Sequence, residues 1–285
     1  MTSILEVNQL QKTYVDSSFG LKDVSFTIPY GSIVGFIGEN GAGKSTTMGS
    51  ILGTLQKDSG TIKIFGEERN PKDVHINEDI GAVFDTIKLP GGLTVAKMDR
   101  VFQQIYANWS KETYFKLIQL FSLPKNKLVS SFSRGMSMKL SVAVALSHEA
   151  KLLILDEATV GLDPGGREDV LTVLRDFVKD QKCSILLSSH ITSDIEQIAD
   201  SLIFIKGGEI LLQATKEEIL GNYGIVQCDP IEYRNIPSNI RVATRGNDAF
   251  FDVLVSNKEE LPSSLKSKRF SIDDVTLLIM RGERV

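Results

Sequence analysis

No apolar run in this chain approaches the roughly 20 residues that a membrane-spanning helix needs. The nearest stretches, Ser141 to Leu146 and Leu152 to Leu155, are interrupted by Ser147, His148, Glu149 and Lys151. The chain itself is therefore not expected to cross a bilayer. A basic excess is also missing, because 32 Lys and Arg stand against 36 Asp and Glu for a formal net charge of -4. That balance argues against a protein that neutralises many phosphates along a duplex. Cysteine is scarce, and Cys183 and Cys228 form neither a disulfide framework nor a CxxC metal pattern, so both are expected to be free thiols. Met1 to Tyr14 lacks a charged n-region, an apolar stretch and a small-residue cleavage site, which makes the cytosol the expected compartment. No internal repeat or low-complexity tract is visible. What is present is 285 residues at 42 % hydrophobic content, enough for one large domain plus an appendage.

Periodicity outlines the organisation. Ile4 to Val7 and Leu21 to Ile28 alternate apolar and polar residues as half-buried antiparallel strands do, whereas Ile33 to Ile37 is a compact apolar run entering a glycine-rich turn. From Leu93 to Leu123 the spacing becomes helical, with Val101, Ile105, Phe115, Leu117, Ile118 and Leu120 set among polar residues and Pro124 closing the segment. Leu152 to Leu155 and Ile185 to Leu187 flank the helix-like stretch Arg167 to Asp180, which is the rhythm of a parallel sheet, and Leu202 to Ile205 adds a further strand. Beyond about Tyr223, the strand-like pieces Ile240 to Ala243 and Phe250 to Val255 and the closing helix Ile272 to Met280 predict a small C-terminal domain.

Gly38-Glu39-Asn40-Gly41-Ala42-Gly43-Lys44-Ser45 satisfies the P-loop pattern GxxxxGK[ST], directly after one predicted strand and before the helix-like run Thr46 to Leu55. Glycines let backbone amides turn inward to cradle phosphate oxygens, the helix presents its positive N-terminus, Lys44 reaches the β and γ phosphates, and Ser45 is placed to ligate Mg²⁺. The alternative, a glycine-rich structural turn, does not require the full motif in a strand-turn-helix setting. Leu152-Leu153-Ile154-Leu155-Asp156-Glu157 then ends a strand in two acids. Asp156 is placed to hold the Mg²⁺ shell, and Glu157 to orient a water for in-line attack on the γ-phosphorus. No NKxD guanine-reading element accompanies the loop.

These residues resemble the ATP-binding-cassette (ABC) ATPases over Ile4 to about Lys216. Ser131-Phe132-Ser133-Arg134-Gly135-Met136 is similar to the family signature LSGGQ, keeping Ser133 and Gly135 while Arg134 and Met136 depart from it. Val160-Gly161-Leu162-Asp163 resembles the D-loop, and Ser188-Ser189-His190 resembles the strand end that carries the switch histidine. Tyr14 resembles the aromatic residue that stacks on adenine. Ile80-Gly81-Ala82-Val83-Phe84-Asp85 is similar to the Q-loop region, with Asp85 standing where most members have glutamine. The SRGM signature, the acidic Q-loop and DEATVGLDP together resemble ATPase subunits of Gram-positive two-component exporters, including the phenol-soluble-modulin peptide exporter group.

The resemblance implies an α/β fold: a P-loop NTPase core with a parallel sheet, an antiparallel β-subdomain, a helical insertion at about 93–145, and a small C-terminal α+β domain. The expected boundary puts a nucleotide-binding domain at 1–222 and an accessory domain at 223–285. The expected nucleotide contacts are Tyr14, Gly38, Asn40, Gly41, Ala42, Gly43, Lys44, Ser45, Thr46, Ser133 and Gly135, with Ser133 and Gly135 closing over the ATP of a second subunit. Glu157, His190 and Asp85 are the expected catalytic residues, and Ser45, Asp156 and Asp85 the expected Mg²⁺ ligands. The implied cofactors are ATP and Mg²⁺. The implied partners are a membrane permease and a second ATPase subunit, identical or paralogous, without nucleic acid, which places the protein on the cytoplasmic face of the membrane through the permease. The expected function is ATP hydrolysis driving export, with peptides or toxic amphipathic compounds as candidate cargo. A soluble ABC ATPase that remodels nucleic acid or ribosomes would be expected to carry long coiled-coil insertions or a second cassette, and a non-hydrolysing nucleotide sensor would not need Asp156, Glu157 and His190 intact.

Overall fold

A computed structural model describes residues 3–16, 18–84, 89–189, 192–247 and 249–284. The chain opens with the antiparallel pair β1 (Ser3–Thr13) and β2 (Gly20–Pro29) and then enters β3 (Ile33–Ile37), whose five residues are all buried. Helix α1 (Lys44–Leu52) starts at Gly43 and stops at Gly53, both in the left-handed region that glycine adopts without a Cβ penalty. β4 (Ser59–Ile64) and β5 (Glu67–Glu68) complete a four-stranded antiparallel sheet in the order β2-β1-β4-β5. The short α2 (Val74–Glu78) then leads into β6 (Ile80–Phe84).

The segment expected to be a helical insertion contains α3 (Val95–Ile105), α4 (Lys111–Leu120) and α5 (Arg134–Ala145). Each begins at a hydroxyl residue, Thr94, Ser110 or Ser133, whose oxygen accepts an otherwise unpaired N–H of the first turn. β7 (Leu152–Asp156), α6 (Pro164–Phe177), β8 (Ser184–Ser188) and α7 (Thr192–Ile198) then return the chain through the core. β9 (Ser201–Lys206) and β10 (Glu209–Thr215) finish a six-stranded sheet in the order β10-β9-β3-β8-β7-β6, in which only the β9–β10 pair is antiparallel. Alternate residues of its central strands face opposite cores. Ile33, Leu153, Leu155, Ile185 and Leu187 join the core on the helical side, whereas Val34, Phe36, Leu152, Ile154 and Leu186 pack toward the antiparallel sheet. Burial on both faces explains why β3, β7 and β8 read as continuous apolar runs.

Helix α8 (Lys216–Asn222) ends in the C-terminal unit of β11 (Gly224–Cys228), α9 (Pro230–Asn235), β12 (Arg241–Gly246), β13 (Phe251–Val255), α10 (Ile272–Arg281) and β14 (Glu283–Arg284). Its sheet has the order β11-β13-β12-β14. Val226, Ile236, Val253 and Leu265 form a core on one side. On the other side α10 packs against α7 and β9, and Val275, Leu278 and Ile279 join the large helical-side core. The sequence pattern by itself does not mark β4, β10, β11 or α9. Cys183 and Cys228 are both buried free thiols.

Candidate active site

The phosphate loop leaves the C-terminal end of β3 and turns through Gly41 (φ 81°) and Gly43 (φ 118°) before α1 begins. A Cβ at Gly43 would lie 2.8 Å from Leu21 Cδ2, so backbone conformation and space both demand glycine there. The loop is stapled from outside by Gly208, in the β9–β10 turn, whose N–H donates to the Ala42 carbonyl at 2.9 Å. Lys44 is buried, and its Nζ donates to the carbonyls of Gly38 at 2.6 Å and Glu39 at 3.2 Å. Burial pushes the Lys44 ammonium below its ordinary pKa, while the carboxylates of Glu157 and Asp156 pull in the opposite direction.

β7 and β8 lie side by side, so Asp156 pairs in register with Ser188. Asp156 accepts from Ser45 Oγ on one oxygen and from Ser188 Oγ on the other, both at 2.5 Å. Such charge-assisted bonds allow a nearly buried carboxylate to persist at a strand end. The Glu157 N–H donates to Ser188, to its carbonyl at 3.2 Å and its hydroxyl at 3.1 Å. Glu157 itself adopts a left-handed φ of 55°, an uncommon conformation for a non-glycine residue and one that clusters at functional sites. Sequence reasoning placed Ser188 at a strand end without seeing this bridge; only the β7–β8 pairing reveals it.

A cavity of about 320 Å³ opens beside these groups, lined by Tyr14, Phe19, Asn40, Thr46, Asp156 and Glu157 among others. Tyr14 and Phe19 stack with centroids 6.3 Å apart, and the Tyr14 hydroxyl lies 3.5 Å from Thr46 Oγ1. Phe19 was not singled out from sequence, because nothing local marks a lone phenylalanine as facing the loop. The paired hydroxyl of Ser45 and carboxylate of Asp156 form a hard-oxygen donor set that fits Mg²⁺, which takes one or two protein oxygens and completes its octahedron with phosphates and water.

Ser133 and Gly135 do not join this cavity within the chain. Ser133 caps α5, accepting from the Met136 N–H at 3.2 Å. Gly135 lies against the D-loop-like turn, where an added Cβ would be 2.8 Å from the Gly161 carbonyl. Asp85 and His190 lie outside the described residues. His148, to which the sequence assigned no role, is buried between the carbonyls of Val144 and Ile80, each 3.2 Å from a ring nitrogen, and stacks on Tyr106 with centroids 4.1 Å apart.

A mostly parallel sheet with a phosphate loop after its central strand β3 and an Asp-Glu pair at the end of β7, with β8 between the two strands, defines a P-loop nucleoside-triphosphatase. Comparison with known proteins narrows that class. The family described as ABC transporter matches residues 21–160. The bacitracin transport ATP-binding protein of Bacillus licheniformis is 34 % identical over 213 residues, covering 74 % of this chain and 69 % of that protein. The lantibiotic transport ATP-binding protein of Streptococcus pyogenes is 34 % identical over 212 residues, covering 74 % of this chain and 90 % of that protein. Among solved structures, an ATP-binding subunit of an ABC transporter aligns with a TM-score of 0.68 at 30 % identity, covering 76 % of this chain and 92 % of its own. A dimeric cassette bound to ADP and Pi shares the fold, with a TM-score of 0.66 at 21 % identity over 74 % of this chain and 98 % of its own. The chain belongs to the ATP-binding proteins of ABC transporters. It is an ATPase with the α/β cassette fold that its sequence predicts. No described helix is long and apolar enough to cross a membrane.

Proposed function

We propose that this ATPase powers export of amphipathic peptides through a separate membrane permease, working as one half of a head-to-tail pair of ATPase subunits. The observation that carries the reading is the separation of two half-sites. Lys44, Ser45, Asp156 and Glu157 line one cavity, while Ser133 and Gly135 sit on α5 away from it. A second subunit would bring its own Ser133 and Gly135 over the bound triphosphate, so that ATP joins the two subunits and hydrolysis releases them. The names of relatives that transport bacitracin and lantibiotics support a peptide cargo.

In this reading Lys44 and the loop amides hold the β and γ phosphates, and Tyr14 with Phe19 offers ring faces to the adenine. Ser45 and Asp156 would hold Mg²⁺, which neutralises phosphate charge as the transferred group departs. Glu157 accepts a proton from the attacking water, oriented by the backbone bond that Ser188 receives. His190 contacts the γ-phosphate, and Asp85 serves the metal or the water in place of the family's glutamine. A groove of about 470 Å³ beside α5, lined by Phe84, Leu89, Val129, Phe132, Arg134 and Met138 among others, receives a short helix of the permease.

Reconstitution with the permease encoded beside it tests the proposal. Vesicles should accumulate a labelled amphipathic peptide only with Mg-ATP, and the Glu157→Gln variant should bind ATP without accumulation. ATP hydrolysis that is indifferent to the permease would sink the assignment.

A further inference from the structure

Arg167 and Asp194 join the two helices that follow the active-site turns. Arg167 lies in the first turn of α6, and its N–H donates to the Asp163 carbonyl at 2.9 Å, so it moves with the end of the Val160-Gly161-Leu162-Asp163 turn. Asp194 lies in the first turn of α7, the helix that follows position 190. That helix is held tightly against the phosphate-loop strand, since a Cβ on Gly35 of β3 would come within 2.3 Å of Ile195 Cγ2. One turn further along, Gln197 Nε2 donates to Glu168 Oε2 at 2.8 Å, a second polar link between α6 and α7.

The Arg167–Asp194 pair is incomplete. The Asp194 side chain is only 3 % exposed, and its Oδ1 stands 3.6 Å from Arg167 Nη1, beyond hydrogen-bond length. Among the described residues, Arg167 Nε and Asp194 Oδ2 are both buried without a hydrogen-bond partner. A guanidinium and a carboxylate normally meet through two parallel bonds of about 2.7–2.9 Å, which this pair would reach by closing less than about 1 Å. The Arg167 side chain is half-buried, but a buried carboxylate that forgoes an available hydrogen bond is costly, so the arrangement favours a second conformation in which the fork is made.

We propose that Arg167 and Asp194 are positioning residues for ATP hydrolysis, forming a latch that closes into a two-bond fork in the hydrolysis-competent state. Closure draws the turn after Glu157 and the helix after His190 into one rigid unit, so that the water-orienting acid and the γ-phosphate contact come into place together. The inference rests on the assignment of His190 to the γ-phosphate under the proposed function.

The test uses the full chain with its permease in lipid and compares Asp194→Asn, Arg167→Gln, the double variant and His190→Ala. The readouts are kcat, KM for ATP and Tm for each protein. The latch predicts that each single latch variant lowers kcat about tenfold, as expected for loss of a charge-assisted hydrogen bond needed in the transition state, with KM and Tm nearly unchanged. The double variant should be no slower than either single one, because both remove the same interaction. Unchanged kcat in Asp194→Asn and Arg167→Gln, or a kcat loss in the double variant equal to the product of the single losses, overturns the latch. If that happens while His190→Ala abolishes turnover, the proposed function still stands. Full turnover in His190→Ala overturns both the histidine assignment and the latch. Should a single variant lose Tm, the double variant decides the matter, since removing both charges leaves no buried Asp194 carboxylate without its partner.

Discussion

Lys44 Nζ lies 3.9 Å from Glu157 Oε1 while donating to the Gly38 carbonyl at 2.6 Å. Among the described residues, Lys44 is the buried cation of the cradle, and it sits between its own loop and the acid that follows the strand. Phosphate oxygens would take over from these neighbours, and no other described lysine or arginine lines the cavity. Lys44→Ala should therefore weaken ATP binding at least about 100-fold, the loss of several charge-assisted contacts. Isothermal titration with Mg-ATP measures this, and unchanged affinity would contradict the role of Lys44 in the phosphate loop.

Glu157→Gln keeps the side chain's size and the backbone bonds to Ser188 but removes the proton acceptor. Turnover should fall about 100- to 10 000-fold, the usual contribution of a general base, with ATP affinity retained. A closed dimer should then accumulate with Mg-ATP, visible by gel filtration of the ATPase with a suitable partner subunit. Turnover at the rate of the unmodified protein would remove Glu157 from the role of main base.

Tyr14 and Phe19 present a two-ring platform at the cavity mouth. Stacking of a base on an aromatic side chain contributes about 1–3 kcal/mol, so Phe19→Ala should weaken ATP binding about tenfold and by as much as Tyr14→Ala. Fluorescent-nucleotide titration of both variants checks this. A loss confined to Tyr14→Ala would make Phe19 a packing residue of the loop.

Burial holds the His148 imidazole below its ordinary pKa of 6.5, against the opposing pull of the Val144 and Ile80 carbonyls and of the Asp79 and Glu78 charges. A histidine whose pKa is lowered by folding contributes its stability above the unfolded value. That contribution is lost as pH falls from 6.5 toward the lower folded value. His148→Phe keeps a ring against Tyr106 and should flatten the decline of Tm between pH 7 and pH 5. Melting curves at several pH values measure it, and equal declines in both proteins would assign the acid sensitivity elsewhere.

Truncation after Asn222 would remove α10 from α7 and β9 and expose the apolar surface that Val275, Leu278 and Ile279 cover. Burying an aliphatic side chain contributes about 1.5–3 kcal/mol, so Tm should fall by about 10 °C or more. Nucleotide affinity should survive, because every residue lining the phosphate cavity precedes the cut. A folded truncation that no longer binds ATP would show the C-terminal unit to be part of the nucleotide-binding domain.

Local sequence alone determined the phosphate loop, the strand ending in Asp156 and Glu157, and the buried strands β3, β8 and β9, whereas β6 carries no comparable run of large apolar residues. Each is encoded by short-range chemistry: glycines where φ must be positive, a lysine and a hydroxyl at fixed spacing, and apolar runs where both faces are covered. The edge strand β10 and the C-terminal β11 were less legible, since half-buried residues at a sheet margin leave only weak patterns. Only tertiary structure decided which distant side chains meet. Ser188 bridges Asp156 and Glu157 because β8 pairs with β7, Phe19 joins Tyr14 because the β1–β2 connection folds toward the loop, and Arg167 faces Asp194 because α6 and α7 pack side by side. Pairing across strands and helices depends on register and packing angle, which no window of neighbouring residues records.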